Sequence, residues 1–442
     1  MNLLLITFDS LRYDSVDSQA HQSLSLSARA SPWFNSTVSF SSAFTVSPYT
    51  WGAFASLLVS NYPRRITSRK GVLLPDVLTL PEILRRRGFS TAAFNSNPFI
   101  SAGFGYARGF DVFEDGLLAK QAVRVPRSGY VYLAKLLRLI RRTPYMPAPG
   151  VTSLALNWLR KQVTVTNPFF AWVHYMDPHG PYQSKRGVAY INKVRAERLW
   201  RKAVVAPETI TPGEKQELID TYAEEIAYAD QHTGVLLQGL KELGLADTTI
   251  LIVCADHGDA FAEHGFYSHP RHLYEELIHI PLLIRHPALR ERRVISTPVG
   301  LLDMVPTVLD MLDLSVAAAD RVGQSLWPAM LTGDASYLRG RVVMDATPDR
   351  TQRIVGIRTQ RWKLIVNQER KTTELFDLDA DSGETNNVAA AHPQVVADLE
   401  TQLWAELGRE VLPQGPVEGP EPEVDAEVVQ RLRDLGDRKS VV

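Results

Sequence analysis

The chain has 442 residues, 48 Lys+Arg against 49 Asp+Glu, 45% hydrophobic residues and one cysteine. That length suits a large domain plus a smaller one, and the balanced charge gives no global field for a nucleic-acid partner. A lone cysteine excludes an intramolecular disulfide. With no apolar run of transmembrane length and no secretory pattern at the N-terminus, the expected location is cytoplasmic.

Apolar residues predict a strand over 3–8, ending in the carboxylate Asp9. Segment 47–58 (SPYTWGAFASLL) reads as a loop entering a helix, with Thr50 near the helix N-terminus. Free N–H groups and the helix dipole attract anions there, although such a hydroxyl is most often an N-cap. A helix over 80–87 closed by Gly88 and a strand over 91–94 follow. Segment 123–142 interleaves Arg124, Arg127, Lys135, Arg138, Arg141 and Arg142 with Tyr, Leu and Ile. It reads first as an amphipathic helix with a solvated basic face, and second as a lid for an anionic substrate or a membrane-surface contact.

A third strand, 169–174, ends in a Pro/His loop carrying His174, Asp177 and His179. Helical spacing runs over 221–243. The next segment, 249–259 (TILIVCADHGD), is the most telling. A β-branched apolar run stops at Asp256, His257 and Gly258, as a buried parallel strand would when it delivers ligands to its carboxyl end. The loop after it, 263–272, carries His264, His269 and His272. A strand over 281–285 and a helix over 302–312 continue the alternation.

The βαβα order predicts an α/β fold, a large mostly parallel sheet sandwiched by helices. Short segments at 341–344, 353–358, 362–366 and 374–377 predict a C-terminal antiparallel sheet, with a closing helix over 393–407. The expected organisation is a catalytic domain over 1–338, a small α+β unit over 339–410, and a mobile Pro/Glu-rich tail over 411–442. Nothing in the sequence specifies an oligomer.

Carboxylate oxygen and neutral imidazole nitrogen are both good donors to a divalent cation. Asp9 from one strand and Asp256 and His257 from another therefore make a metal site at one sheet edge, with manganese, magnesium, zinc and calcium all open. A Thr50 hydroxyl touching that cation can act as a nucleophile. The histidine loops supply donors to an oxyanion or a leaving group.

The chain resembles the sulfatase branch of the alkaline phosphatase superfamily. The likeness rests on 6–14 (ITFDSLRYD), Tyr62-Pro63, 171–182 (AWVHYMDPHGPY), 222–265, 273–276 (LYEE), Asp303 with Pro306-Thr307, 323–326 (GQSL) and 383–387 (GETNN). The resemblance implies Asp9, Asp256 and His257 as metal ligands, Thr50 at the nucleophile position, and His179 and His269 against the transferred or leaving group. It also places Lys70 in the site, and the histidine-dense loops add His174, His264 and His272 as expected substrate-binding residues.

The chain departs from the pattern Cys/Ser-x-Pro-x-Arg, in which the first residue becomes formylglycine. Thr50 stands at that residue, Gly52 at the proline and Phe54 at the arginine, while Ser10 replaces a second carboxylate. A threonine cannot yield the aldehyde. The expected activity is therefore metal-dependent hydrolysis or transfer on a phospho- or sulfo-ester. A phosphodiester or phosphonate ester is favoured, on an anionic small molecule, lipid or glycan. The alternatives are a sulfuric ester hydrolase without formylglycine and a non-catalytic binding member.

Overall fold

A computed structural model describes residues 1–17, 36–116, 145–182, 190–315, 321–347 and 353–408, and, in the C-terminal segment, 420–424, 428–429 and 431–432. The basic segment 123–142 lies outside the described residues.

The large sheet has eight strands in the spatial order Arg293–Ile295, Thr37–Phe40, Leu282–Arg285, Thr249–Ala255, Asn2–Phe8, Phe169–Tyr175, Ser90–Phe94, Val112–Glu114. Leu282–Arg285 is antiparallel to both neighbours, and every other pairing is parallel. Strands Thr249–Ala255 and Phe169–Tyr175 are buried throughout, and Asn2–Phe8 is buried from Leu3 onward. Helices cover both faces, so the central strands read as continuous apolar runs and not as alternating ones.

The register places the chemistry. Phe8 pairs with Ala255 on one side and with Tyr175 on the other, and Val173 pairs with Phe94. Three adjacent parallel strands therefore end level with one another, and the fourth, Ser90–Phe94, ends two residues earlier beside them. Asp256 and His257, Asp9, the end of the Phe169–Tyr175 strand and the Asn95–Asn97 turn all emerge at one edge. Helix Thr50–Val59 points its N-terminus there, and all of its residues are buried.

Helix Pro212–Glu242 starts well before the expected residue 221. A capping box begins it, with the Thr211 side chain accepting from Glu214 N and the Glu214 side chain from Thr211 N. Leu218 is its first buried residue, so hydrophobic periodicity registers only after the cap. Strands Thr37–Phe40 and Val112–Glu114 and helices Ala148–Gln162 and Tyr190–Val205 were not expected from the sequence.

The C-terminal sheet is the antiparallel meander Arg341–Asp345, Ile354–Thr359, Trp362–Asn367, Thr372–Asp377. Helix Pro393–Leu407 lays Leu399, Leu403, Trp404 and Leu407 on it. The resulting core also takes Phe44, Tyr62, Leu273 and Ile278 from the first part of the chain, so the small sheet is packed against the large unit.

Within the segment 411–442, some of the described residues contact the rest of the chain. Glu423 N donates to Gly103 O at 3.1 Å and Arg431 Nη2 to Gly116 O at 2.7 Å. Val428 and Leu432 are buried in the main core.

Candidate active site

Asp9, Asp256 and His257 meet as a buried triad whose ligand atoms lie within 4.8 Å of one another. Hydrogen-bond accounting identifies the atoms. Asp256 Oδ1 accepts from Ser10 N at 3.1 Å and from its neighbour His257 N at 2.8 Å. Asp256 Oδ2 has no hydrogen-bond partner and lies 3.4 Å from His257 Nε2. His257 Nδ1 faces Gly258 O at 2.8 Å, so the N–H sits on Nδ1 and Nε2 keeps its lone pair. Asp9 Oδ1, which accepts from Ser10 Oγ at 3.1 Å, faces that nitrogen at 3.9 Å.

Ser10 makes both contacts from a left-handed backbone conformation, φ 58°. Such a conformation costs energy in a non-glycine residue and recurs where a site fixes the chain.

Electrostatics fit a divalent cation. Burial pushes the Asp9 carboxyl up, but His179, the His174 contact and His257 outweigh it and hold Asp9 below the usual carboxylate range. Burial and the neighbouring Asp9 charge drive Asp256 well above that range. Two buried carboxylates this close resist joint ionisation unless a cation lies between them. The bare Asp256 Oδ2 and the free His257 lone pair are the donors such an ion takes.

Thr50 Oγ1 lies 3.4 Å from His257 Nε2, so the helix brings this hydroxyl onto the triad. Gly52, two residues on, leaves no room for a side chain. A Cβ there would stand 2.4 Å from Ser47 Oγ and 2.6 Å from the Tyr49 ring. A proline at this position would therefore collide with the loop that leads into the helix. Phe54, fully buried, packs 5.1 Å from the Trp172 ring and edge-on to His174 at 4.9 Å, filling the arginine position with an apolar ring.

His179 Nε2 and His269 Nε2 face each other at 3.1 Å, and the His269 ring lies 4.5 Å from the His257 ring. Burial works against protonation of His179, but Asp9 and Asp259 raise it. Burial, His257 and His179 hold His269 well below the usual imidazole range. The two Nε2 atoms lie within hydrogen-bond distance of each other, so a proton can be shared between them.

The other histidines lie elsewhere. His174 is behind Asp9, with Nδ1 on Thr7 Oγ1 at 2.9 Å and Nε2 at 3.4 Å from Asp9 Oδ2. His264 bonds Glu276 at 2.7 Å and stacks on Tyr274 at 3.7 Å, and His272 stacks on Phe266 at 5.1 Å. Both belong to an aromatic stack against the small sheet and not to the triad. Lys70 pairs its ammonium with Glu421 at 2.7 Å.

Asn97 and Asp259 were not named from the sequence. Asn97 Nδ2 donates to Asp9 Oδ2 at 2.6 Å. Asp259 accepts from the Tyr182 hydroxyl, and burial pushes its carboxyl up to about 6. The polar turn that ends the 91–94 strand was the available signal for Asn97.

The sulfatase family model matches residues 1–314. The chain belongs to the sulfatase family. A second model, N-sulphoglucosamine sulphohydrolase C-terminal, matches residues 262–410. Arylsulfatase K of Bos taurus is 28% identical over 300 residues, 57% of this chain and 53% of that protein. Arylsulfatase K of Gallus gallus is 25% identical over 417 residues, 82% of this chain and 74% of that protein. The chain thus spans about half of the bovine relative and about three quarters of the chicken one.

Among solved structures, a phosphonate monoester hydrolase from Silicibacter pomeroyi superimposes with TM-score 0.70 at 21% identity, covering 93% of this chain and 96% of that one. A second structure, in complex with its substrate D-glucosamine-2-N,6-O-disulfate, gives TM-score 0.69 at 17% identity and covers 99% of each chain. These likenesses show the fold.

Membership of this family of ester hydrolases, whose enzymes use a divalent metal ion, agrees with the triad. The expected cytoplasmic location does not stand, because the arylsulfatase K relatives point away from the cytoplasm. A single cysteine reports on disulfides and not on compartment. No helix among the described residues is long and apolar enough to cross a membrane.

Proposed function

We propose that this sulfatase-family protein is a metal-dependent hydrolase of singly charged sulfo- or phospho-esters, with Thr50 as nucleophile and an anionic carbohydrate as the favoured substrate. The Thr50 hydroxyl, 3.4 Å from His257 Nε2 at a buried Asp/Asp/His cluster, carries this reading. Asp9 Oδ1, Asp256 Oδ2 and His257 Nε2 would hold the cation, with manganese, magnesium, zinc and calcium all compatible with the donor set. A cation bound there lowers the pKa of a contacting hydroxyl and offsets charge on the ester oxygens.

The rest falls to this chain's own residues. The Thr50 hydroxyl loses its proton to solvent, and Oγ1 forms a bond to sulfur or phosphorus as the bond to the alcohol oxygen breaks. The departing alkoxide takes a proton from the His179/His269 pair. Water then cleaves the Thr50 ester, or an acceptor alcohol does so if the protein works as a transferase. The converging side chains are imidazoles, and Phe54 stands where the family pattern has arginine. That supports a substrate with one charge at the transferred group, such as a sulfate ester, a phosphodiester or a phosphonate ester, over a dianionic monoester. The relatives' names favour sulfate esters of glycans. The threonine supports the phosphorus alternative.

We read residues 1–338 as the catalytic unit and 339–410 as the small C-terminal unit that packs against it.

The test is turnover of aryl sulfate, bis-aryl phosphate, aryl phosphonate and aryl phosphate by the Mn²⁺-loaded protein. We expect activity on one or more of the first three, a mass adduct on the Thr50 peptide, and loss of both in Thr50→Ala. Absence of turnover on all four would instead favour a binding member, the reading that Phe54 motivates.

A further inference from the structure

The two oxygens of Asp9 stand in different surroundings: Oδ1 faces His257 Nε2, while Oδ2 accepts a hydrogen bond from Asn97 and has His174 Nε2 3.4 Å away. The first tie is Asn97. Its Oδ1 accepts from Phe99 N at 2.8 Å, capping the short 3-10 turn Pro98–Ile100. Because that N–H can only donate, the oxygen of the amide must face it and the NH₂ must face Asp9. Asn97 Nδ2 is thus fixed as a donor to Asp9 Oδ2, at 2.6 Å.

The second tie is a chain of polar contacts running up the sheet. Trp172 Nε1, a donor only, gives its proton to Thr7 Oγ1 at 2.9 Å. The Thr7 hydroxyl in turn shares a hydrogen bond with His174 Nδ1 at 2.9 Å. With Nδ1 taken up by Thr7, Nε2 is the His174 nitrogen left facing Asp9 Oδ2, 3.4 Å away and with no other partner among the described residues. Trp172, Thr7, His174, Asp9 and Asn97 are all fully buried or nearly so.

We propose that Asn97 and His174 are positioning residues that anchor Asp9 Oδ2, so that Asp9 offers a cation Oδ1 alone. This rests on the metal reading of the triad. The consequence is a carboxylate held for one-oxygen coordination. That suits a compact cation such as Mn²⁺ and disfavours the two-oxygen binding that Ca²⁺ accepts.

The experiment is titration of the metal-stripped full-length protein with Mn²⁺ and, separately, with Ca²⁺ by calorimetry, for wild type, Asn97→Ser, His174→Gln and Asp9→Ala. Asn97→Ser keeps a capping oxygen for Phe99 N while withdrawing the donor from Asp9. Mn²⁺ affinity is expected to fall about 10–100-fold in Asn97→Ser and in His174→Gln, as it does when a partner of a metal ligand is lost. Ca²⁺ affinity should fall less, since a released Oδ2 can join its coordination. Equal losses for the two cations would reduce Asn97 and His174 to general structural roles and overturn the proposal, as would a Mn²⁺ affinity within about twofold of wild type. If Asp9→Ala abolishes binding while the other two variants do not weaken it, this proposal alone falls. If Asp9→Ala binds like wild type, the metal reading falls with it.

Discussion

Phe54 shows how one substitution changes both charge and packing at the site. The ring sits between Trp172 and His174, with no solvent exposure. Truncation there would leave a cavity where helix Thr50–Val59 packs against the sheet. Phe54→Ala is expected to cost about 3–5 kcal/mol in urea denaturation. Phe54→Arg should not restore a sulfatase-type site, because the cavity is apolar and an unpaired buried cation is costly. Thr50, the proposed nucleophile, is the complementary case. Thr50→Ser retains a hydroxyl and should keep measurable turnover, whereas Thr50→Ala should fold like wild type and turn over nothing. Comparing their initial rates and melting curves separates the two effects.

The recurring element is the buried parallel strand that ends in polar residues. Strands Asn2–Phe8 and Thr249–Ala255 announce themselves by apolar runs and by Asp9 and Asp256, so this half of the site was legible in the sequence. Asn97 follows a weaker run, Ser90–Phe94, and its role depends on an adjacency that no sequence period encodes. The small sheet contributes a separate device. Lys363, fully buried, meets Glu384 at 2.6 Å and Glu275 at 3.3 Å.

Burial pushes Glu384 up to about 7, with Lys363 opposing and Glu275 adding to the rise. Between the unfolded value near 4.5 and about 7, the unfolded chain has released this proton while the folded one still holds it. Stability therefore falls as pH rises through that window. Glu275, held low mainly by Lys363 and Arg358 against its burial, acts in the opposite sense and only under more acidic conditions. Denaturation midpoints from pH 4.5 to 7 should show a shallower decline in Glu384→Gln than in wild type.

At the scale of the whole molecule, folding brings Asp9 beside Asp256 across 247 positions of sequence and buries both. Without a cation the native state carries that repulsion. Binding that favours the native state adds RT ln(1 + [M]/Kd), about 2.7 kcal/mol at a hundredfold excess over Kd. Chelation should lower the melting temperature, and Asp9→Ala should abolish the difference between chelated and Mn²⁺-replete melts. The docked C-terminal segment is the other global feature. Leu432→Asp would place a charge in the main core and should reduce stability measurably in the same melts.

The sequence by itself determined the α/β class, the antiparallel C-terminal sheet, the strand-end carboxylates and the departure at Thr50, because apolar periodicity and residue chemistry are local properties. Only the tertiary structure decided which histidines belong together. His179 and His269 converge on His257, His174 turns back beneath Asp9, and His264 and His272 stack against the small sheet. All five lie in or beside loops of similar composition. What separates them is the order of parallel strands and the packing of one sheet on another, and these are set by contacts between residues far apart in the chain.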